Sequence, residues 1–361
     1  MAFELSTFAY HAVDQYRLAY HNRDLLRWEK KVCRAHPEWA PLTAAELAEI
    51  RPRDRWGCKL FKNMAGTTEN TRCFITEAPF RTLILPMLNP LNHRSNSDGF
   101  GTLFSDKNYS ELFMPGMTFP KTLLYRIHGE YYDAKRRHIP AAAALDQLRG
   151  HDRLVFKHST DTGHGTGVVP VQAEDFAAQL DYSQNYLVQE LIRQHESLAY
   201  FNPSSVNAIR INTLFWRGHV YVLGGILRIG APGAFCDHES IGKNAYLSIA
   251  LAEDGTILPH AVDVDNYYAY DTCRGIPIQG RIPAYEEMKR SAAAAHENYP
   301  GYGLIAWDFT VGEDGRPICV EFNTVYPGPV GTQCALGPVF AQKSVEGVPL
   351  FDELMAAVKK K

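Results

Sequence analysis

The sequence predicts an α+β fold built on antiparallel sheets. β-prone segments occur in pairs around the two-residue turns Arg217-Gly218, Asp254-Gly255 and Asp314-Gly315, which is the pattern of β-hairpins. Helical patterns lie between these hairpins, whereas a doubly wound parallel sheet requires a helix after almost every strand. Because hairpins dominate, we expect antiparallel sheets with helices packed against them.

Composition excludes several classes of protein. Hydrophobic residues make up 45% of the 361 residues and charged residues 21%, so the chain can bury a core and intrinsic disorder is excluded. Lys and Arg number 37 against 40 Asp and Glu, and the net charge of -3 gives no sign of a nucleic-acid partner. No apolar run reaches the ~18 residues of a membrane span, and the first residues lack the pattern of a signal peptide. Seven scattered cysteines without a CxxC pair favour reduced thiols, so we expect a cytoplasmic protein.

The chain divides into three predicted parts. Residues 1–80 form a helical N-terminal region, in which Thr43-Ala-Ala-Glu46 is a capping box that opens a helix at 44–50. Residues 81–185 hold a linker strand at 80–86 and a smaller unit, and residues 186–361 form a larger unit. The other predicted strands are 123–127, 154–157, 186–192, 208–215, 220–229, 245–252, 256–258, 303–311 and 317–322. The other predicted helices are 105–113 (capped by Ser105), 140–148, 285–296 and 351–359.

A lysine and a glycine-rich loop follow one predicted strand. Lys157 ends the strand, and the loop consists of Thr162, Gly163, His164, Gly165, Thr166 and Gly167. Glycines allow backbone N–H groups to converge on a polyanion, and a lysine supplies a point charge for phosphate oxygens. The spacing is neither that of a P-loop nor that of a dinucleotide-binding fingerprint. Phosphate binding and an ordinary glycine-rich surface loop both remain open at this point.

A hairpin near the C-terminus carries hard-oxygen ligands. Asp308 and Glu321 lie on the two strands joined at Asp314-Gly315, so antiparallel pairing brings them side by side, and Asn323 shares the face of Glu321. Two carboxylates and an amide oxygen suit Mg²⁺ that carries nucleotide phosphates. The alternative is a hairpin with ordinary edge charges. It is weakened because both carboxylates follow apolar runs, where an unpaired charge is costly to bury.

Two further segments add polar groups to β-prone sequence. Arg210 and Arg228 each lie within a predicted strand, where they could converge on a phosphoryl group or form surface salt bridges. The segment Gln189, Glu190, Leu191 and Ile192 leaves a predicted strand with backbone groups that could hold an adenine edge. Glu190 would then be near a ribose hydroxyl.

The order of these motifs resembles the ATP-grasp superfamily over roughly residues 102–335. The most specific part is the pattern containing Asp308, Glu321 and Asn323, which is similar to the end of RimK-type and D-alanine–D-alanine ligases. Asp106-Lys107 resembles the first nucleotide lysine of the superfamily. The stretches 207–213 and 227–233 look like the sugar-transfer-associated ATP-grasp family, whose genes are found beside polysaccharide biosynthesis genes.

The resemblance implies ATP held between two α+β subdomains. Lys107, Lys157 and the loop Thr162–Gly167 would hold the phosphates, and Glu190 with the backbone of Leu191 would hold the nucleoside. Asp308, Glu321 and Asn323 would hold Mg²⁺. Catalysis would use Lys157, with Arg210 and Arg228 stabilising the transferring phosphoryl group or an acyl phosphate. Where related ligases often carry an asparagine or a small-residue loop, this chain has Asp237, His238, Lys243 and Tyr326, which we expect to touch substrate.

The resemblance therefore implies an ADP-forming carboxylate–amine ligase. ATP would phosphorylate a carboxylate, and an amine would attack the acyl phosphate to give an amide. Its partners would be a small-molecule acid, such as a sugar acid in polysaccharide biosynthesis, and an amine; a nucleotide- or lipid-linked sugar is a further candidate. The alternatives are a kinase on the same fold, with Asp237 or His238 as base, and a catalytically silent nucleotide-binding protein.

Overall fold

The computed structural model describes residues 23, 27–28, 30–41, 43–50, 73–75, 79–92, 100–160, 167–180, 183–241, 244–325 and 327–359. The predicted capping box is confirmed. The Thr43 backbone N–H donates to Glu46 Oε2 at 2.6 Å and the Glu46 N–H donates to Thr43 Oγ1 at 3.3 Å, at the start of helix α1, Ala44–Ile50. Most of the predicted N-terminal region lies outside the described residues.

The smaller sheet is antiparallel throughout. Its strands are β1 Thr122–Ile127, β2 Glu130–Asp133, β3 His138–Ile139, β4 Arg153–His158, β5 Val168–Gln172 and β6 Tyr186–Glu190. Their order across the sheet is β3-β2-β1-β6-β4-β5. Because β6 lies between β1 and β4, the sheet extends past the predicted boundary at residue 185. We place the end of this unit after Glu190.

The larger sheet is also antiparallel and contains all three predicted hairpins. The remaining strands are β7 Ala208–Trp216, β8 His219–Ile229, β9 Leu247–Leu251, β10 Ile257–Asp263, β11 Ala269–Tyr270, β12 Thr272–Cys273, β13 Ile276–Pro277, β14 Leu304–Val311, β15 Pro317–Asn323, β16 Ser344–Val345 and β17 Val348–Pro349. The larger sheet has the order β11-β10-β9-β8-β7-β14-β15, while β12-β13 and β16-β17 are separate pairs. Arg217 and Gly218 both have positive φ, at 48° and 80°, as a two-residue hairpin turn requires.

Helices cover both faces of the larger sheet. The helices after α1 are α2 Leu85–Leu88, α3 Phe100–Ser105, α4 Ser110–Phe113, α5 Ala141–Ala144, α6 Phe176–Leu180, α7 Glu196–Ala199, α8 Tyr285–Glu297, α9 Pro329–Leu336 and α10 Leu350–Lys359. Of these, α5 and α6 pack against the smaller sheet. On one face, Met288 and Ala292 of α8 pack with Trp307 and Phe309 of β14. A second cluster joins α2 and α10 to Leu304, whose side chain points the other way. None of the helices among these described residues is long and apolar enough to cross a membrane.

The predicted linker strand at 80–86 is wrong. The segment forms a π-helical turn, Phe80–Ile84, that continues into α2. Phe80, Ile84 and Leu88 recur every four residues and are buried, whereas Leu83 is 42% exposed. A short apolar run fits the periods of a strand and of a helix equally well. Here the residues at helical spacing are the ones that are buried in the core.

The predicted cap at Ser105 is also wrong. Ser105 ends α3 instead, and the side chain of Asp106 accepts a hydrogen bond from the Asn108 backbone N–H at 2.9 Å. A short 3₁₀ turn, Lys107–Tyr109, then leads into α4. Aspartate and serine are equally good N-cap residues, and here the cap is Asp106, one residue after the predicted Ser105.

Candidate active site

A cleft lies where the two sheets meet and encloses about 570 Å³, open solvent included. The side chains around it divide into an apolar set and a charged set. The apolar set consists of Pro120, Val155, Val168, Ile192, Val206, Ala208, Phe235, Cys236 and Val320. The polar and charged set consists of Lys157, Gln189, Glu190, Arg228, Asp237, Asp308 and Glu321. Eight of the residues singled out from the sequence thus line one cleft: Lys157, Gln189, Glu190, Ile192, Arg228, Asp237, Asp308 and Glu321.

A β-bulge brings the two predicted metal carboxylates together. Phe309 of β14 faces Cys319 of β15, but the next pair is Asp308 with Glu321, so Val320 is an extra residue. In a regular ladder Val320 would face Asp308, and Glu321 would point to the face of Cys319. The bulge turns Glu321 toward the cleft, and the predicted side-by-side arrangement of the carboxylates is confirmed.

Asp308 is the centre of a buried ion-pair network. Arg210 Nε donates to Asp308 Oδ1 at 2.8 Å, and Arg210 also contacts Asp308 Oδ2 at 2.6 Å. Arg228 lies 2.8 Å from Asp308 Oδ1 and 2.5 Å from Asp237 Oδ2. Both arginines therefore converge as predicted, although their partners here are carboxylates. A phosphoryl group as their ligand stays a prediction.

The buried carboxylates of this network are kept ionised by the cations that contact them. Burial alone would raise the pKa of the Asp308 carboxyl, but Arg210 and Arg228 outweigh it and hold that pKa well below its usual range. Burial likewise opposes ionisation of Asp237, and Arg228 with His238 lowers its pKa nevertheless. Asp308 is only 2% exposed, so the loss of any one partner would leave a charge buried without compensation.

Lys157 faces the network from the smaller sheet. Lys157 is buried at the end of β4. Its burial and the nearby charge of Lys107 lower its pKa to about 8, although the negative charge of Glu321 acts to raise it. The Lys107 backbone N–H donates to the Ser159 carbonyl at 2.9 Å, which fixes it beside the end of β4. The two predicted nucleotide lysines are therefore neighbours. A lysine whose pKa lies near neutrality is typical of a functional cleft.

The donor set at Asp308, Glu321 and Asn323 fits a divalent cation. Asn323 Nδ2 lies 3.2 Å from Asp308 Oδ2 and 3.3 Å from Glu321 Oε1, so the three side chains converge on one point. Rotation of the amide would place its oxygen beside both carboxylates, which gives the hard-oxygen set that Mg²⁺ prefers. In the part of the chain that is described, no three His, Cys, Asp or Glu side chains form a metal-binding group.

The predicted nucleoside segment lies at the end of β6. Gln189 is buried, and its Nε2 donates to the Pro120 carbonyl at 3.2 Å and to Thr122 Oγ1 at 3.0 Å. Glu190 lines the cleft but is bound to Lys121 at 2.6 Å. Ile192 lines the cleft as well, and Leu191 is half-buried between them. Ribose contact by Glu190 would therefore compete with its lysine.

The predicted substrate residues are only partly described. His238 Nδ1 lies 2.9 Å from Asp237 Oδ1 beside the ion-pair network. Lys243, Tyr326 and the loop residues 162–166 lie outside the described residues. Gly167 closes the loop with φ 77°, and its carbonyl accepts from the His158 N–H at 2.8 Å. A Cβ on Gly167 would come within 2.7 Å of the His158 ring, so this position requires glycine.

Sequence reasoning missed the apolar lining of the cleft. One signal was present, because Val155 precedes Lys157 by two residues on β4 and must share its face. No sequence pattern places Phe235 and Cys236 in the cleft, because they lie on a loop whose position depends on the tertiary fold. Burial raises the pKa of the Cys236 thiol to about 12, so this cysteine is an inert part of the wall.

Comparison with known proteins gives one family and several distant structures. Similar solved structures include D-alanyl-alanine synthetase A from Vibrio cholerae (14% identity, TM-score 0.45, covering 71% of this chain and 64% of that one). A second example is a biotin carboxylase from Campylobacter jejuni, with 13% identity and a TM-score of 0.42, covering 71% of this chain and 46% of that one. A third is the ATP-grasp ligase PsnB with minimal precursor, Mg and ADP, with 13% identity and a TM-score of 0.41, covering 72% of this chain and 60% of that one. The chain thus spans about half to two thirds of the length of these proteins. No curated protein sequence matches it.

The family match covers the larger unit and the end of the smaller one. The model of the sugar-transfer associated ATP-grasp family matches residues 176–347, which include Arg210, Arg228, Asp308 and Glu321. Lys107 and Lys157 precede the matched segment. Over residues 176–347 the chain is similar to the sugar-transfer associated ATP-grasp family, and this match confirms both the resemblance drawn from the motifs and the ATP-grasp fold class.

Proposed function

We propose that this protein is an ATP-dependent, ADP-forming ligase that joins a carboxylate to an amine. The observation that carries the proposal is the convergence of Lys157 from one sheet with Arg228, Asp308 and Glu321 from the other around a single cleft. The cleft is apolar in one part and charged in another, as a nucleoside triphosphate with its metal requires. Lys157 and Arg228 line the cleft together with the carboxylates of Glu190, Asp237, Asp308 and Glu321, so it offers cations for phosphate oxygens and carboxylates for a metal ion.

The residues have separate roles in this proposal. Lys107 and Lys157 bind phosphate oxygens, and Asp308, Glu321 and Asn323 hold Mg²⁺, which would offset charge on the phosphates when bound. Arg210 and Arg228 stabilise the phosphoryl group as it moves to the substrate carboxylate and remain beside the acyl phosphate that results. The amine then displaces phosphate and gives an amide. The catalytic task of this chain is mainly positioning and electrostatic stabilisation.

The acceptor is proposed on the family resemblance alone. A sugar acid or related metabolite of polysaccharide biosynthesis, acted on in the cytoplasm, is the acid we propose. A nucleotide- or lipid-linked sugar is the second candidate. Asp237 lines the cleft and is hydrogen-bonded to His238, and we propose that these two residues contact the acid together with Lys243 and Tyr326.

A kinase is the second candidate function, and one observation favours it. Asp237 orients the imidazole of His238 through a 2.9 Å hydrogen bond, which is how a general base is held in many enzymes. A base of this kind could accept the proton of a hydroxyl acceptor, as phosphorylation of an alcohol requires. The products separate the two reactions, because a kinase makes a phosphomonoester and a ligase releases free phosphate.

Phosphorus NMR of the full chain with Mg²⁺, ATP and pools of sugar acids, amino acids and small amines tests the proposal. ADP with stoichiometric free phosphate, formed only when acid and amine are both present, would establish the ligase. ADP with a new phosphomonoester would establish the kinase. Nucleotide binding without turnover in any pool would favour the catalytically silent protein.

The variant Glu321→Gln tests the metal assignment within the same assay. It should abolish Mg²⁺-dependent turnover, because the glutamine loses the negative charge that binds the cation. Glu313→Gln is the matched control, since Glu313 is exposed at the turn of the same hairpin and should leave turnover unchanged. Turnover that survives Glu321→Gln would remove Glu321 from the metal site.

A further inference from the structure

The cleft face of the larger sheet continues beyond the two arginines. The strands β15, β14, β7, β8 and β9 are neighbours in that order. The predicted metal ligands lie on β15 and β14, whereas Arg210 and Arg228 lie on β7 and β8. Lys157 is close enough to Glu321 of β15 for the two charges to interact, so it marks the nucleotide end of this face. A substrate that receives a phosphoryl group at the arginines would therefore lie toward β9.

Tyr246 is the aromatic residue at the β9 end of this face. It directly precedes β9, two residues before Ser248, and Ser248 pairs with Arg228 across β8 and β9. Leu247 and Ile249 belong to the core on the α8 side, so Tyr246 and Ser248 point to the opposite face, which carries Arg228. Diagonal neighbours across an antiparallel pair lie within reach of long side chains. Tyr246 can therefore reach toward Arg228 from the side away from the nucleotide.

Tyr246 is held by its backbone, and its hydroxyl is available to a ligand. Its N–H donates to Ser240 Oγ at 3.1 Å, and Ser240 Oγ donates to Asp265 Oδ2 at 3.1 Å. The residue is half-buried, and within the described part of the chain its hydroxyl makes no hydrogen bond. Because the protein does not enclose this hydroxyl either, a ligand can reach it.

The surroundings of Tyr246 keep its hydroxyl protonated. Burial raises the pKa of Tyr246 above its usual range, and the positive charges of Arg228 and Arg210 only partly oppose this effect. The hydroxyl is therefore a hydrogen-bond donor at neutral pH. A neutral donor beside two arginines suits an anionic oxygen such as that of a carboxylate.

We propose that Tyr246 is a catalytic residue of the ligase, which donates a hydrogen bond to the substrate carboxyl group beside Arg228. The proposal rests on the proposed function and adds a residue that binds its acid. One carboxylate oxygen attacks the γ-phosphorus of ATP, and the bond from that phosphorus to the ADP oxygen breaks with its electron pair on ADP. The other carboxylate oxygen becomes the carbonyl oxygen of the acyl phosphate, and this oxygen accepts from Tyr246.

The hydrogen bond from Tyr246 should be strongest while the amine attacks. The amine nitrogen forms a bond to the carbonyl carbon, and the carbonyl oxygen then carries a negative charge. The bond from that carbon to the phosphate oxygen breaks next, and phosphate leaves with the electron pair and takes up the proton that the nitrogen loses. Loss of one hydrogen-bond donor to such an oxyanion typically lowers kcat by about 10²–10³-fold.

Trapping of the acyl phosphate with hydroxylamine tests the proposal without knowledge of the natural amine. The full chain with Mg²⁺, ATP, hydroxylamine and the pools of sugar acids and amino acids should form a hydroxamate, which is measured as its coloured ferric complex. Tyr246→Phe keeps the ring and removes only the hydroxyl, so kcat for hydroxamate formation should fall by at least about tenfold. Calorimetric titration should give the wild-type affinity for Mg²⁺-ATP. Urea unfolding should also be unchanged, because the fold loses no hydrogen bond of that hydroxyl.

Tyr221→Phe is the matched control for the loss of a tyrosine hydroxyl. Tyr221 is half-buried like Tyr246 and lies on β8, seven residues before Arg228, so this variant should keep the wild-type kcat. Equal hydroxamate formation by the wild type and Tyr246→Phe would overturn this inference and leave the ligase in place. A parallel loss of Mg²⁺-ATP affinity in Tyr246→Phe would also overturn it, because the residue would then support the cleft as a whole. No hydroxamate from the wild type would overturn the ligase and this inference with it.

Discussion

Strands β7 and β14 carry two buried networks on opposite faces of the larger sheet. On the face toward α8, Trp307 Nε1 donates to Thr213 Oγ1 at 2.8 Å, and Thr213 Oγ1 lies 2.7 Å from His296 Nδ1. His296 Nε2 lies 2.6 Å from the Tyr302 carbonyl. Because that carbonyl only accepts, Nε2 must carry the proton and Nδ1 must accept from Thr213. The result is a neutral chain in which every member is satisfied.

The cleft face of the same strands is charged. Asp308 of β14 is paired with Arg210 of β7 and with Arg228, which also contacts Asp237. Here the polar groups are not all satisfied, because the buried Arg228 Nε has no hydrogen-bond partner. The neutral network is closed on itself, whereas the charged network keeps a buried donor without a protein partner, which is more common at functional sites than in structural cores. The two faces should therefore respond differently to substitution and to pH.

The largest expected effect is that of Asp308→Asn. The substitution leaves Arg210 and Arg228 buried with one carboxylate fewer, and removal of one partner from a buried ion pair typically costs about 3–5 kcal/mol. Urea unfolding of the variant and the wild type measures this. Asp271→Asn is the control, because its side chain is 92% exposed and the change should be below about 0.5 kcal/mol. A loss below 1 kcal/mol for Asp308→Asn would mean that the network does not stabilise the native state.

The neutral face should make stability depend on pH through His296. Burial lowers the pKa of His296 to about 4, while in the unfolded chain it is near 6.5. The unfolded state therefore binds the proton first, so stability is fully present above pH 6.5 and is lost as the pH falls toward 4, by about 3 kcal/mol. Urea unfolding between pH 4 and 7 measures the loss. His296→Gln should lack this part of the pH dependence, and an unchanged slope in the variant would assign the loss to other groups.

The sequence predicted most of the fold because its signals were local. Asp254-Gly255 and Asp314-Gly315 mark hairpins by turn chemistry alone, and the strands on either side follow. The segment at 80–86 failed because a short apolar run does not distinguish a strand from a helix. Local sequence signals therefore identify a strand where turn residues mark its end. Where no turn residues are present, they do not distinguish a strand from a helix.

The candidate site was predicted in its members but not in its contacts. Asp308 and Glu321 were expected to be neighbours. Their pairing depends on a β-bulge at Val320, which no residue pattern in the sequence predicts. The binding of Arg210 and Arg228 to Asp308 depends on β8, β7 and β14 being consecutive in the sheet. Strand order is a long-range property, and hairpin signals give only the nearest neighbour of each strand.

The smallest expected effect separates the two faces by function. Lys157 has a pKa of about 8 in the free protein, so its charge is present below pH 8 and is lost as the pH rises through it. Phosphate oxygens bind the charged form, hence the affinity for Mg²⁺-ATP should fall by about twofold between pH 7 and 8 and then by up to about tenfold per pH unit. Calorimetric titration to pH 9.5 measures the fall, and Lys157→Arg should show none, because arginine stays charged in this range. The same fall in Lys157→Arg would exclude Lys157 as its cause. Since His296→Gln should leave this profile unchanged while altering the stability profile, the pair of titrations tests whether one face of the sheet serves the fold and the other the ligand.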